Sequence, residues 1–193
     1  MKKGVILALS LSATLFASNI QEKSQHKIMK IGKESSKILF KALEPQLKKT
    51  IKKEGFAKAS EFCANEAKKL TIEVNKKLQK GVSVKRISLK NRNPLNTPIN
   101  TNEESILKAF DLLNSSNVKL KPLVEEETNS YKFYKPLVIK KGVCLKCHGD
   151  NNMIDKDAKA FFNKKYPNDK ATGHKMNDVR GAIVVEIDKK VIK

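Results

Sequence analysis

Gly81-Val82-Ser83-Val84-Lys85-Arg86-Ile87-Ser88-Leu89 marks the point where the chain changes character. Val82, Val84 and Arg86 alternate with Ser83, Lys85 and Ile87, which predicts a strand over residues 82–89. Everything upstream has a helical rhythm. Ile28, Ile31, Ile38, Leu39, Ala42, Leu43, Leu47 and Ile51 recur at helical spacing over residues 21–53, and Pro45 predicts two helices or one kinked helix there. Gly55 punctuates. A stronger helix is expected from Phe56 to Gln79, with Phe56, Ser60, Cys63, Ala67, Leu70 and Val74 on one face and Gly81 closing it. Downstream, residues 91–100 hold two prolines and four asparagines and read as a long structured loop. Thr101 to Glu104 resembles a capping box ahead of a helix over 105–113. Residues 119–124 and 131–139 read as a hairpin, 156–165 as a short helix, and 179–187 as a final strand. Helices first, then a small antiparallel sheet with inserted helices, is an α+β arrangement.

The chain has 193 residues, enough to bury a core without disulfide staples. Its 39% hydrophobic and 31% charged residues exclude collagen-like and disordered classes. The N-terminus, MKKGVILALSLSATLFAS, has Lys2 and Lys3 ahead of a short apolar run from Gly4 to Ala17. That is the pattern of a signal peptide over residues 1–17, and it predicts export to the periplasm. No apolar run is long enough for a confident membrane span, so no integral membrane segment is expected after cleavage. The domain reading is a signal peptide at 1–17, a helical segment at 18–54 and the main domain at 55–193.

The formal charge is +20, and an exported chain has no genome to meet, so nucleic acid is not an expected partner. The basic residues are also of the wrong kind for phosphate reading. Only Arg86, Arg92 and Arg180 are arginine, against 37 lysines. The lysines read as a solvated surface or as steering toward an acidic partner. Where arginine does appear, its fork geometry should matter. Arg86 and Arg92, helped by Asn93, are candidates for a cofactor's carboxylates, or else they pin the 91–100 loop to acidic side chains.

Cys144-Leu145-Lys146-Cys147-His148 carries the chemistry. CxxCH places two thiols where they can add across the two vinyl groups of one haem, and the adjacent imidazole can then ligate the iron. Cys144 and Cys147 are therefore expected to hold one covalent haem c, with His148 as its proximal ligand. A zinc site would need a second ligand pair of matching spacing, which the sequence lacks. A thioredoxin-type site would want a strand before the motif and a helix whose N-terminus lowers the first thiol's pKa. The second axial ligand has several candidates: Cys63, His174, Met176, Met153 and His26. Cys63 is the one unpaired thiol, on an apolar helix face beside Ala59, Ala64 and Ala67. It reads equally as a buried small hydrophobe.

Three stretches together resemble a known family. They are Val84–Pro98 followed by Glu103 or Glu104, with the pattern RxSxKxRNPxNxP; Cys144–Gly149; and Tyr166–Gly173 with Val179–Ala182. They resemble the PAS-like, single-haem c-type protein family typified by a cyanobacterial haem protein of the Tll type. The resemblance covers residues 55–187. It implies a PAS-like antiparallel sheet with flanking helices and a haem between the sheet and N-terminal helices. It also implies His148 and a helix cysteine as axial ligands, a role that only Cys63 fills here. Two positions depart from the pattern: His174 stands where the family tends to have Tyr, and Asn177 where it tends to have Gly. His174 is thereby the rival distal ligand.

Three functions follow. The first is a redox or small-ligand sensor, in which loss of an iron–thiolate bond releases the Cys63 helix. The second is a periplasmic electron-transfer cytochrome with a lysine collar. The third is a haem enzyme such as a peroxidase, which needs an acid–base pair that only His174 with an arginine supplies. With no kinase or membrane segment in view, the expected partner is a separate redox or signalling protein, acidic where it meets the lysines. A homodimer is also open to it.

Overall fold

The computed structural model describes residues 10–193, with side chains from residue 21 onward. The expected signal peptide therefore lies outside the described residues, apart from the backbone of residues 10–17. Helix α1 spans Ser10–Glu61 and runs through Pro45. The break comes instead at Gly55, whose φ of 79° divides α1 into two rods. Glycine reaches that region without the Cβ clash that other residues meet. The helical chain continues through a π-helical turn, Phe62–Glu66, into α2, Ala67–Lys77.

After Gly81 the chain enters β1, Val82–Ile87, then a 3₁₀ turn at Pro94–Asn96 and helix α3, Thr101–Ser115. The α3 cap lies one residue earlier than the sequence suggested. The Asn100 side chain accepts from the Glu103 amide at 2.9 Å, and Glu103 reaches back to the Ile99 amide at 3.1 Å. Strands β2, Leu123–Glu126, and β3, Ser130–Val138, form the expected hairpin, although the first strand begins four residues late. Helix α4, Gly142–His148, precedes α5, Lys156–Lys165, and β4, Val179–Asp188. A last turn, α6, covers Lys189–Ile192.

The sheet is antiparallel throughout, in the order β1-β4-β3-β2. Alternation sends its side chains to two cores. Val82, Val84, Phe133, Ile183, Val185 and Ile187 pack against Ile28 and Leu39 of α1 and Val74 of α2. Ile87, Tyr134, Ala182 and Val184 pack against Leu107 and Phe110 of α3. The fold is thus α+β in three layers, with α1 and α2 on one face of the sheet and α3 on the other. Residues 18–54 contribute directly to the first core. They come close to the sheet at Gly32, where an added Cβ would clash with the Phe133 ring. A third cluster, Ile154, Ala158 and Phe162, sits beside Phe56 and Cys147.

Candidate functional site

Cys144, Cys147 and His148 all lie on the seven-residue helix α4, and the thiols, three positions apart, share one face. No helix is legible here from the residues alone. Strand β3 precedes it, so the arrangement that a thioredoxin-type site wants is present in outline. Burial, reinforced by Cys63, pushes the second thiol of the motif, Cys147, up to about 12. What sets the motif apart from a thioredoxin-type site is the histidine that ends α4.

His148 is oriented by its neighbours. Its Nδ1 lies 2.9 Å from the Ala171 carbonyl. A carbonyl only accepts, so Nδ1 carries the hydrogen and Nε2 keeps a free lone pair. Burial, with Arg180 and Arg92 nearby, holds His148 well below the usual histidine range, so it is neutral at ordinary pH. A neutral imidazole anchored through Nδ1 is the form in which histidine ligates metals.

Cys63 lies in the π-helical turn. The Ala67 amide donates to the Phe62 carbonyl, five residues back. The extra residue in that turn shifts the phase of the helix and re-aims the residues within it. The thiol is half-buried, and burial raises its pKa against the pull of Arg86, Arg92 and Arg180. All three arginines of this lysine-rich chain thus favour the ionised form of this one thiol. Cys63, Arg86, Cys147 and His148 are desolvated by the protein around them, yet each keeps some accessible surface. Side chains lining a cleft behave this way. Two thiols, an imidazole lone pair, a third thiol and a cation are a donor set that fits a haem.

The arginines divide their work. Arg92 pairs with Asp169 at 2.7 Å, donates to the Cys147 carbonyl at 2.7 Å and stacks 3.5 Å above the Phe162 ring. That is the loop-pinning alternative, and it ties the 91–100 loop to α4. Asn93 serves the same loop: its side chain accepts from the Leu95 amide and caps the 3₁₀ turn. Arg86 is on β1 with the parity of Val82 and Val84, facing the α1–α2 layer. It has no hydrogen-bond or ion-pair partner among the described residues.

His174 is 3% exposed, and its Nε2 has no hydrogen-bond partner among the described residues. Burial, then Arg180, pushes it down to about 4. Its ring stands perpendicular to that of His148, 6.2 Å away, and its backbone amide donates to the His148 carbonyl at 2.9 Å. Met153 and Met176 are 44% and 43% exposed, and His26 is exposed on α1. Arg180, Asp169, Ala171 and Phe162 complete the site and escaped the sequence reading as site residues. The signal for Arg180 was available, since it is the third arginine of three. Among the described residues no group of three or more His, Cys, Asp or Glu side chains could hold a bare metal ion.

A family model described as Tll0287-like matches residues 5–188. The chain belongs to the Tll0287-like family. Among solved structures, a match is the cyanobacterial heme-protein Tll0287, over 86% of this chain and 94% of that one. The TM-score is 0.58 and the identity 21%, a likeness of fold. None of the curated proteins matches the chain. Membership fits the α+β fold.

Proposed function

We propose that this chain is an exported protein holding one covalent haem c, with His148 and Cys63 as axial ligands, and that it acts as a redox or small-ligand sensor in the periplasm. What supports the reading is that Cys63 lies near enough to Cys147 to raise its pKa, while His148, on the same helix as Cys147, is held neutral against Ala171. Cys144 and Cys147 would form the two thioethers. His148, anchored to Ala171, would be the proximal ligand. Arg86, which has no partner among the described residues, is the best-suited partner for a propionate, while Arg92 is occupied with Asp169 and Cys147. A bound haem supplies a one-electron couple and an iron that thiolate or imidazole can ligate.

The backbone argues against His174 as the distal ligand. Its amide is bonded to the His148 carbonyl, so the two backbones touch. Ligation by both would require the flat macrocycle to pass between them. No such restraint applies to Cys63, which comes from a different element, the turn between α1 and α2.

The sensor reading rests on the π-helical turn. Such turns are costly relative to α-helix and recur at functional sites. The turn is a two-state element: with Cys63 held, the extra residue is kept, and with Cys63 released, the helix can re-pair in α register. The electron-carrier reading needs no moving part and keeps the distal ligand in both oxidation states.

Maturation of the full chain with haem-attachment machinery should add about 0.6 kDa per chain, the mass of one haem. The haem should resist acid-acetone extraction. Extraction of free haem would sink the covalent assignment. Carbon monoxide binding to the reduced protein separates the functions: binding supports a labile Cys63, and refusal supports the carrier.

A further inference from the structure

A second cleft, of about 390 Å³, opens on the α3 side of the sheet, where β1 runs out and β4 begins. Its walls include Ser88, Lys90, Asp111, His174, Asp178 and Arg180, and none of Cys63, Cys144, Cys147 or His148. Charge of both signs faces it. Lys90 and Arg180 supply the cationic side. Asp111 and Asp178 supply the anionic side, together with Asn114 and Ser115 from the C-terminal end of α3. That helix end carries partial negative charge on its last carbonyls.

The groups on these walls are incompletely satisfied. Arg180 donates from Nη1 to the Ser88 hydroxyl at 2.7 Å and to the Lys90 carbonyl at 2.9 Å. The rest of its fork makes no hydrogen bond among the described residues. His174, almost fully buried, lines the cleft with an Nε2 that has no partner. A buried polar atom without a partner is unfavourable unless something else occupies the site. Burial raises the Asp111 carboxyl, and Asp178 adds to the effect against the pull of Lys90.

We propose that this cleft binds a small zwitterion of the α-amino acid class, its carboxylate against Arg180 and Lys90 and its ammonium toward Asp111 and Asp178. A plain carboxylate would leave two aspartates facing it, and a plain amine would face Lys90 and Arg180. Only a dipolar molecule satisfies both walls. The volume sits at the lower end of small-molecule pockets and suits a compact ligand. The proposal goes beyond the haem reading and does not rest on it.

The test is titration calorimetry of the haem-loaded full chain with each standard amino acid, using ethylamine and propionate as single-charge controls. At least one amino acid should bind at least tenfold more tightly than either control. Lys90→Gln and Asp111→Asn alter solvent-facing side chains, which the fold should tolerate. Each should weaken that amino acid tenfold or more. Lys164→Gln, on the exposed face of α5, should leave it unchanged. Absence of binding by any amino acid at about 10 mM, far above the millimolar constants of weak complexes, would overturn the proposal. So would equal binding of propionate and zwitterion, which would make the cleft an anion site. A haem-loaded crystal structure with the haem propionates filling the cleft would overturn it too.

Discussion

Arg92 holds three groups at once: the Asp169 carboxylate, the Cys147 carbonyl and the Phe162 ring. Its side chain and that of Asp169 are each only 9% exposed. Removing one partner of such a pair leaves a buried charge uncompensated, so Arg92→Leu should destabilise the fold by about 3–5 kcal/mol. Urea denaturation would measure this. Arg92→Lys should recover little, because an ammonium cannot stack on Phe162 while reaching two acceptors. Cys63→Ser should replace a low-spin thiolate spectrum by a high-spin or rearranged one and raise the potential, since a strong donor is lost. His174→Ala should leave the oxidised spectrum nearly unchanged. Absorption spectra and redox titration of the two variants check both outcomes. At this scale the sequence already displayed the CxxCH motif and the lone thiol. The partners of the arginines were illegible, because Arg92 and Asp169 are brought together only by the fold.

The elements show where local pattern is enough and where it is not. α3 was expected, but its cap lies at Asn100 because Asn there accepts from the Glu103 amide better than Thr101 could one residue later. α4 was missed: seven residues with a glycine, two cysteines and a histidine carry little helix propensity. The π-helical turn was equally invisible, since one inserted residue barely disturbs an apolar stripe. Pro45 looked like the helix breaker, yet Gly55 takes that role because only it adopts the positive φ. The α1–sheet contact gives a direct test. Gly32→Ala would drive a methyl into the Phe133 ring, an overpacking that should cost about 1–3 kcal/mol. Thermal unfolding of Gly32→Ala, and of the double variant with Phe133→Leu, should show partial rescue in the double. The β2–β3 hairpin gives another. Lys132, 4% exposed, pairs with Glu127 at 2.7 Å, and this lysine holds the Glu127 carboxyl below its usual range. A depressed carboxylate stabilises the fold above its unfolded value, near pH 4.3, and loses that contribution as pH falls through the folded value. Glu127→Gln should therefore be less stable than the parent at pH 7. The gap should narrow below about pH 4, as urea midpoints at pH 7 and pH 3 would show.

Across the whole molecule, the order of helices followed by a sheet was legible because the hydrophobic period switches from 3.6 to 2 at Val82. The layering was not. Periodicity says that α1 has an apolar face but not that Ile28 and Leu39 cover the same sheet core as Val185. That packing sets the site, since it holds the Cys63 turn over the face of β1 that carries Arg86. The central claim is that Cys63 and His148 bind one iron. Electron paramagnetic resonance of the oxidised, haem-loaded full chain tests it most directly. The account predicts a low-spin ferric signal with the narrow spread of g values given by thiolate–imidazole ligation, absent in Cys63→Ser. A wide-spread bis-imidazole signal, or a high-spin signal that Cys63→Ser leaves unchanged, would contradict it.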